Sequence, residues 1–281
     1  MSKRKGAKRR RLAAARRSPG VLKTGEQRRV FAEAEMPYHA GSTVLVLGDG
    51  DFSWSRALAR LRGAAGDGGA GLIVTAFDSM EDARRKYGDA CAANADELQR
   101  SGARVLYGVD ATAVDSCASL CEWRSACRFV VFNFPHAGAG IKDERQNAEH
   151  HRRLIRRTLR AARAMLAPRT STAGAGEAHV TLRRGRPYSQ WGVPSLADGL
   201  LGLRFAREVP FDPALYPGYE HRRTRGLAAS RPDAAESWQP NSAVAKGEGS
   251  VTYCFERREQ AEHEQRAERL SPGGGGGGGT V

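Results

Sequence analysis

The stretch Val44-Leu45-Val46-Leu47-Gly48-Asp49-Gly50-Asp51-Phe52-Ser53-Trp54-Ser55 decides the fold of this chain. The aliphatic run from Thr43 to Leu47 has no polar alternation, which is typical of a strand buried on both faces. Gly48 and Gly50 then allow a sharp turn and the close approach of a ligand, and Asp51 is a candidate cap for the helix that follows. A strand, a glycine turn and a helix N-terminus together predict a cradle for a nucleotide-like cofactor.

The residues around these glycines limit which cofactor fits. The pattern Gly-x-Gly-x-x-Ser lacks the third glycine of the dinucleotide fingerprint. Asp49 and Asp51 also place two negative charges where a pyrophosphate would sit, which weighs against NAD. They favour a cofactor with positive charge, such as S-adenosylmethionine (SAM) with its sulfonium and ammonium groups. An acidic turn in an unrelated α/β domain is the alternative interpretation of this stretch alone.

Apolar strands alternate with helical segments through the middle of the chain. After the first strand, further strands are predicted at Leu72–Phe77, Arg104–Tyr107, Arg128–Phe134, Glu177–Arg183, Leu203–Phe211 and Ser250–Glu256. Helices are predicted after Asp51 and at Glu81–Ser101, Val114–Glu122, Asp143–Ala167 and Gln190–Leu201. This alternation implies an α/β fold: a seven-stranded, mostly parallel sheet with helices on both faces. No helix separates the last two strands, so we expect the seventh to run antiparallel to the sixth.

The positive charge of the chain is concentrated at one end. The 281 residues carry a formal net charge of +14, and residues 1–17 hold nine Lys or Arg and no acid. We therefore divide the chain into a disordered basic arm at residues 1–36, one folded domain at 37–259, and a flexible charged and glycine-rich tail at 260–281. A basic arm of this kind favours nucleic-acid contact or nuclear import.

Cysteine content and hydropathy exclude several classes of protein. Five cysteines, an odd number without a secretory signal peptide, argue against a disulfide framework. Cys117, Cys121 and Cys127 lack the spacing of a zinc site, so no metal is expected. No apolar run approaches the ~20 residues of a membrane span, so we expect a soluble protein.

Polar residues follow successive predicted strands. Because ligands of open α/β sheets bind beyond the carboxyl ends of the strands, these residues are candidates for one site. Asp78 follows the second strand and is placed for the ribose hydroxyls. Asp110 follows the third and is placed for an adenine amino group, and Asn133 to His136 follow the fourth, where a methyl group would be transferred. Either aspartate alone would more often be a helix cap, and it is their joint placement at successive strand ends that favours a binding site.

Several ordered motifs resemble one known family. They are Gly48-Asp-Gly-Asp-Phe-Ser-Trp-Ser55, Thr75-Ala-Phe-Asp-Ser79, Lys86-Tyr87, Gly108-Val-Asp-Ala-Thr112, Phe132-Asn-Phe-Pro-His136, His179-Val-Thr-Leu182, Pro187-Tyr188, Trp191 and Tyr216-Pro-Gly-Tyr219. Together they resemble the Rossmann-like large-subunit rRNA uridine-N3 methyltransferases, over roughly residues 38–225. The chain departs from the usual pattern at Asp49, where Glu is usual, at Asp51, where Asn is usual, and at Trp54, where Phe is usual.

The resemblance implies a class I methyltransferase that uses SAM to methylate N3 of an rRNA uridine in the nucleolus or nucleus. It assigns to the cofactor Gly48, Asp49, Gly50, Asp51, Phe52, Ser53, Asp78, Asp110 and Asn133. Uridine N3 carries a proton at neutral pH, so methylation needs a hydrogen-bond acceptor near that atom. Asn133 and the Pro135 carbonyl are candidate acceptors, and His136 is a candidate general base, with a structural hydrogen bond as its alternative role.

The remaining candidates would contact RNA. Phe132 or Phe134 is expected to stack on the base, with Phe134 selected as the candidate. The loops after the fifth and sixth strands mix basic and aromatic residues suited to phosphates and bases. These loop candidates are Arg183, Arg184, Arg186, Tyr188, Tyr219, Arg222 and Arg223. The arginines of the predicted helix Asp143–Ala167 are interpreted as a solvated face, not as an RNA site.

Other functions remain open at this stage. A non-catalytic ribosome-assembly factor could keep the fold and bind RNA without chemistry, and a methyltransferase for tRNA or another RNA would show the same motifs. A nicotinamide oxidoreductase is a more distant alternative. The expected partners are rRNA and the pre-ribosome, with the protein acting as a monomer.

Overall fold

The computed structural model describes residues 37–63, 68–170, 174–198, 202–221 and 249–258. The predicted basic arm and C-terminal tail lie outside the described residues, as do Arg222 and Arg223. The strands are β1 Val44–Leu47, β2 Leu72–Thr75, β3 Arg104–Leu106, β4 Phe129–Asn133, β5 Glu177–Arg183, β6 Leu203–Pro210 and β7 Ser250–Arg257. The helices are α1 Ser53–Gly63, α2 Met80–Tyr87, α3 Asp89–Arg100 and α4 Glu144–Met165.

The seven strands form one sheet in the order β3-β2-β1-β4-β5-β7-β6. Strands β1 to β5 pair in parallel, while β7 lies antiparallel between β5 and β6. This order confirms the predicted fold class, a class I methyltransferase-like sheet with an antiparallel seventh strand. The carboxyl ends of β1, β2, β3 and β4 therefore meet at one edge of the sheet, which we call the carboxyl edge.

The apolar run of β1 does not alternate because the strand is buried on both faces of the sheet. All four residues of β1 are at most 1 % exposed. Val44 and Val46 belong to a core with α1 and α3 on one face, whereas Leu45 and Leu47 belong to a core with α4 on the other. Full burial of such a side chain stabilises a fold by about 1.5–3 kcal/mol, so β1 anchors both layers.

Three predicted helices differ from the structure. The segment Glu81–Ser101 is two helices, because Gly88 at φ 72° breaks the chain between α2 and α3. The segment Val114–Glu122 is not an α-helix: it follows the 3-10 turn Ala111–Ala113, and its second half lies in the 3-10 turn Ala118–Trp123. The segment is short and rich in residues that compete for backbone hydrogen bonds.

The predicted helix Gln190–Leu201 is also incorrect as far as it is described. Two 3-10 turns, Tyr188–Trp191 and Val193–Ala197, meet at Gly192. Gly192 adopts the left-handed conformation at φ 55°, which an α-helix does not continue through. Residues 199–201 lie outside the described part. None of the described helices combines the length and apolar character that crossing a bilayer requires.

Candidate active site

The glycine turn after β1 is packed from both sides. Gly48 has φ 61°, and a Cβ there would lie 2.9 Å from Cε2 of Phe132. A Cβ on Gly50 would lie 2.5 Å from the hydroxyl oxygen of Tyr87. Both positions therefore need glycine for physical reasons, and Tyr87 closes the turn from the side of α2. Tyr87 belongs to a quoted motif, but the sequence alone did not assign it this contact.

Two carboxylates occupy the entry to α1. Oδ1 of Asp51 accepts hydrogen bonds from the Ser53 amide at 3.1 Å and the Ser53 hydroxyl at 2.8 Å. Oδ2 of Asp49 accepts from the Ser55 amide at 2.8 Å and the Ser55 hydroxyl at 2.6 Å. The predicted single cap is thus a pair, and we call Asp49 and Asp51 the acidic pair.

The two carboxylates of the acidic pair lie close enough to affect each other's ionisation. Burial, followed by the charge of Asp51, raises the pKa of Asp49 from 3.8 to about 7. Its hydrogen bonds from Ser55 act in the opposite direction but are outweighed. Burial, together with the charges of both aspartates, raises the pKa of the nearby Tyr219 hydroxyl well above its ordinary value. A cation bound here would relieve the repulsion between the two carboxylates.

Phe52 and Ser53 support this turn from within the fold. Phe52 is fully buried at φ 61°, and its ring centroid lies 5.2 Å from that of Tyr107. The Ser53 hydroxyl lies 3.2 Å from the carbonyl oxygen of Glu220, in the loop after β6. The side chains of these two predicted cofactor residues therefore hold the site together, and only their backbones are left to face a ligand.

The aspartates after β2 and β3 have different partners. Asp78 forms an ion pair with Lys86 of α2, and both side chains are mostly buried. Asp110 is exposed, and its Oδ1 accepts a hydrogen bond from the Thr112 amide at 2.8 Å, which caps the turn Ala111–Ala113. Phe77 and Met80, which sequence reasoning did not select, are 69 % and 65 % exposed beside Asp78. They give this part of the carboxyl edge an apolar surface.

Asn133 ends β4 with one buried donor left over. Its Oδ1 accepts a hydrogen bond from the Thr181 hydroxyl at 2.7 Å, and that hydroxyl also lies 2.9 Å from the Thr252 hydroxyl. Its Nδ2 is buried without a hydrogen-bond partner among the described residues. A buried amide donor without a partner is costly, so this position suits a ligand that accepts a hydrogen bond.

The residues after Asn133 form the rim of the site. Phe134 adopts φ 51°, and its ring lies 4.3 Å from the ring of His221. Pro135 is buried, and its carbonyl oxygen accepts no hydrogen bond from the described residues. His136 is exposed, and its Nδ1 accepts from the Gly138 amide at 3.0 Å. Partial desolvation lowers the pKa of His136, so the ring is mainly neutral at pH 7, with its proton on Nε2.

Behind His136 lies a histidine that the sequence did not single out. The His151 ring stacks on Trp191 with centroids 4.2 Å apart and planes 7° apart, and it lies 4.8 Å from the His136 ring. Its Nδ1 donates to the Asn147 carbonyl oxygen at 2.8 Å. The contact depends on the rotational position of α4 and on the turn Tyr188–Trp191, so no local sequence signal predicts it.

The loop candidates for RNA contact divide into packed and exposed residues. Tyr219 is half-buried, with its hydroxyl 3.0 Å from Nδ1 of His221. Tyr188 packs against Trp191 with centroids 5.1 Å apart. Arg183 is half-buried, whereas Arg184 pairs with Glu208 at 3.2 Å and Arg186 lies 3.8 Å from Glu144.

A second buried charged group, which we call the Glu177 cluster, lies at the opposite end of β5. Glu177 accepts from Arg207 at 2.8 Å and lies 2.9 Å from Nε2 of His179, whose Nδ1 lies 2.8 Å from the Tyr38 hydroxyl. Burial opposes ionisation of Glu177, yet the hydrogen bonds from His179 and Arg207 outweigh it and lower its pKa to about 2. Cys254 completes a group of possible metal ligands, but the neighbouring guanidinium disfavours a metal cation.

The chain is similar in sequence to several known proteins. Residues 45–223 match the model of a family described as BMT5-like, rRNA (uridine-N3-)-methyltransferase. The heavy metal-associated isoprenylated plant protein 41 of Arabidopsis thaliana is 34 % identical over 196 residues, which cover 69 % of this chain and 35 % of that protein. The 25S rRNA (uridine(2634)-N(3))-methyltransferase of Saccharomyces cerevisiae is 26 % identical over 232 residues, covering 67 % of this chain and 68 % of that protein.

Solved structures give more distant matches. A 16S rRNA (adenine(1408)-N(1))-methyltransferase from Catenulisporales acidiphilia, with cosubstrate SAM, is 12 % identical with a TM-score of 0.38, covering 85 % of this chain and 94 % of that one. A predicted O-methyltransferase from Agrobacterium tumefaciens is 14 % identical with a TM-score of 0.39, and the match covers 83 % of this chain and 81 % of that one.

Proposed function

The chain belongs to the BMT5-like rRNA (uridine-N3-)-methyltransferase family, and on this basis we propose that it transfers a methyl group from SAM to N3 of a uridine in large-subunit rRNA. The observation that carries the cofactor assignment is the acidic pair at the glycine turn, where burial and the neighbouring Asp51 carboxylate raise the pKa of Asp49 to about 7. The rRNA target follows from the yeast relative, which is named for that reaction.

The acidic pair fits the charge of this cofactor. SAM, when bound, supplies an electrophilic methyl group on a sulfonium and brings an ammonium group to the same site. Asp49 and Asp51 would hold the positively charged part, and Gly48 and Gly50 allow the backbone to approach it. The buried Nδ2 of Asn133 would donate to an acceptor of the cofactor, such as its carboxylate. A pyrophosphate would be repelled by the same two aspartates, which disfavours NAD.

Asp78 and the apolar residues beside it would serve the nucleoside end of the cofactor. The Asp78 carboxylate can accept from ribose hydroxyls, and its ion pair with Lys86 holds it in position. Asp110 retains acceptor capacity beyond its bond to the Thr112 amide. We therefore propose that Asp78 binds the ribose hydroxyls and that Asp110 accepts from the adenine amino group.

The residues after β4 would handle the uridine. The Pro135 carbonyl oxygen, which has no donor among the described residues, would accept a hydrogen bond from N3–H and orient the base, and the proton would leave to solvent water as the methyl group is transferred from the sulfonium to N3. Neutral His136 would present its Nε2 proton to an acceptor oxygen of the base, which positions the ring and does not require His136 to act as a base. Phe134 would stack on the base once the uridine has left its helix.

The cellular setting follows from the substrate. Large-subunit rRNA is assembled with proteins in the nucleolus, so we propose that the chain acts there on pre-ribosomal RNA, as a monomer. The basic N-terminal residues would serve nuclear import or RNA contact.

The proposed reaction has a direct test. The protein is incubated with SAM labelled in its methyl group and an unmodified transcript of large-subunit rRNA, and the nucleosides are analysed by mass spectrometry. We expect 3-methyluridine that carries the label. A tRNA transcript as competitor tests the other RNA class. Tight RNA binding without any methyl transfer would identify a non-catalytic assembly factor instead.

A further inference from the structure

The solvent face of α4 is the most strongly charged surface in the described part of the chain that the proposed site does not use. It carries Arg145, Arg152, Arg153, Arg156, Arg157, Arg160 and Arg163, which we call the arginine face. We propose that the arginine face binds the phosphate backbone of the rRNA that flanks the target uridine. This inference rests on the proposed function and extends it by naming the surface that holds the substrate.

The arginine face is separated from the core by the period of the helix. The buried residues of α4 are Ala148, His151, Ile155, Thr158, Leu159, Ala161, Ala162 and Met165. At about 100° per residue these occupy one side of the helix, and all seven arginines fall on the other. Packing therefore explains the apolar side, and it accounts for Arg152 through a hydrogen bond to the Trp191 carbonyl oxygen, but it gives no reason for the exposed arginines.

The arginines are poorly compensated within the fold. Glu149 is the acid among them, and it pairs with Arg152 at 3.7 Å and with Arg153 at 3.4 Å. Arg145, Arg156, Arg157 and Arg160 are exposed and form no ion pair with a described residue; Arg156 and Arg160 are one turn apart. Like charges at this spacing destabilise a helix by a few tenths of a kcal/mol per pair, so the fold gains nothing from them.

The position of the arginine face links it to the candidate active site. Helix α4 begins at the carboxyl edge, where Glu144 lies 3.8 Å from Arg186 in the loop after β5. Arg152 donates to the Trp191 carbonyl oxygen at 2.9 Å, directly beside the His151 stack behind His136. From Arg145 to Arg160 the face extends about 22 Å along the helix, which is long enough to follow several nucleotides.

Helix α3, on the other face of the sheet, has a different charge pattern. Its polar residues mix Asp89, Asp96 and Glu97 with one arginine, Arg100, and Glu97 pairs with Arg60 of α1. A mixed surface of this kind is typical of a solvated helix, the role that the sequence alone suggested for α4. The single sign of charge on α4 and its start at the site favour an anionic polymer, and guanidinium groups match phosphate geometry.

The test compares two charge-matched double variants. Arg156→Gln/Arg160→Gln removes two charges from the arginine face, whereas Arg100→Gln/Arg104→Gln removes two exposed charges at α3 and β3. Binding to a 40-nucleotide RNA hairpin transcript is measured from 50 to 300 mM salt. We expect the α4 variant to bind about tenfold more weakly at 100 mM salt, with a salt slope smaller by about 1.5, and the control variant to resemble wild type.

The outcomes separate this inference from the proposed function. Equal affinity and equal salt slope for the two variants would overturn the role of the arginine face, even if wild-type protein methylates rRNA. Absence of methyl transfer by wild-type protein, with the difference in RNA affinity preserved, would count against the proposed reaction and support the arginine face. SAM affinity is measured for both variants, and unchanged values show that each is folded.

Discussion

The acidic pair, in the turn after β1, and the Glu177 cluster, on β5, are two charged groups that differ in the neighbours of their carboxylates. In the Glu177 cluster, Arg207, His179 and Tyr38 form a continuous hydrogen-bonded chain with the carboxylate. In the acidic pair, two carboxylates lie close to each other, and each accepts hydrogen bonds from the amide and the hydroxyl of a serine. The pKa of Glu177 is lowered to about 2, whereas that of Asp49 is raised to about 7.

We propose that this difference separates a structural group from a binding site. A buried charge with its partner in the chain stabilises the fold and is complete without a ligand. A buried charge held beside another of the same sign destabilises the free protein, and a ligand of opposite charge would relieve it. The acidic pair lies at the carboxyl edge, where ligands of such sheets bind, and the Glu177 cluster lies at the opposite end of β5.

The largest expected effect comes from neutralising the acidic pair. Asp49→Asn keeps the shape of the side chain and removes its charge. We expect the affinity for SAM to fall about 100-fold, because a buried cation would lose its partner. The protein without cofactor should become more stable at pH 8, since the ionised Asp49 carboxylate is unfavourable in the fold. Calorimetry measures the first effect and thermal unfolding the second. If Asp49→Asn is less stable than wild type and binds SAM with normal affinity, the acidic pair is a structural group like the Glu177 cluster, and the contrast between them is wrong.

The Glu177 cluster should respond in the opposite way. Glu177→Gln removes the charge that Arg207 and His179 stabilise, and we expect a loss of about 2 kcal/mol in the free energy of unfolding, with SAM affinity unchanged. Glu208→Gln breaks the exposed pair with Arg184 and serves as control, with a loss below about 0.5 kcal/mol. Denaturant titration at pH 7 measures both.

The Glu177 cluster should also make the free energy of unfolding fall at acid pH, in the acid limb of the stability curve. A lowered pKa means that the folded state holds the Glu177 charge, so its contribution is complete above pH 4.5 and is lost as the pH falls toward 2. Glu177→Gln should therefore flatten the stability curve between pH 4.5 and pH 2. An unchanged acid limb in this variant would show that other carboxylates govern it.

The smallest expected effect is a pH dependence of cofactor binding. Because Asp49 has a raised pKa, it is protonated in part below pH 7, and the affinity for SAM should rise about tenfold between pH 6 and pH 7.5. Asp51→Asn removes the neighbouring charge that, after burial, contributes most to this raised pKa, so it should move the midpoint to lower pH. The Asp49→Asn variant gives the baseline. A wild-type profile that matches this baseline would contradict the role of Asp49.

The sequence predicts the sheet better than the connections. Strand β5 has the bounds expected from its apolar pattern, because burial on both faces leaves a continuous signal. The sequence pattern does not predict the break at Gly88, because the apolar face continues from α2 into α3. In the structure, Gly88 at φ 72° ends α2. Likewise, the two 3-10 turns around Gly192 follow from packing against α4, which local propensity does not contain.

The candidate site shows the same division. Asp51 as a helix cap follows from its position before α1, and the structure confirms it. The second cap by Asp49, the contact of Tyr87 with Gly50 and the stack of His151 on Trp191 arise from residues distant in sequence. Such contacts depend on how the elements pack, so a single sequence offers no spacing from which to predict them.

The most direct measurement is a calorimetric titration of the full chain with SAM at pH 7.5, with NAD as control, in two buffers of different ionisation enthalpy. We predict saturable binding of one SAM per chain, release of part of a proton as Asp49 ionises, and no binding of NAD. Failure to bind SAM, or equal binding of NAD, would contradict the assignment of the acidic pair to a positively charged cofactor.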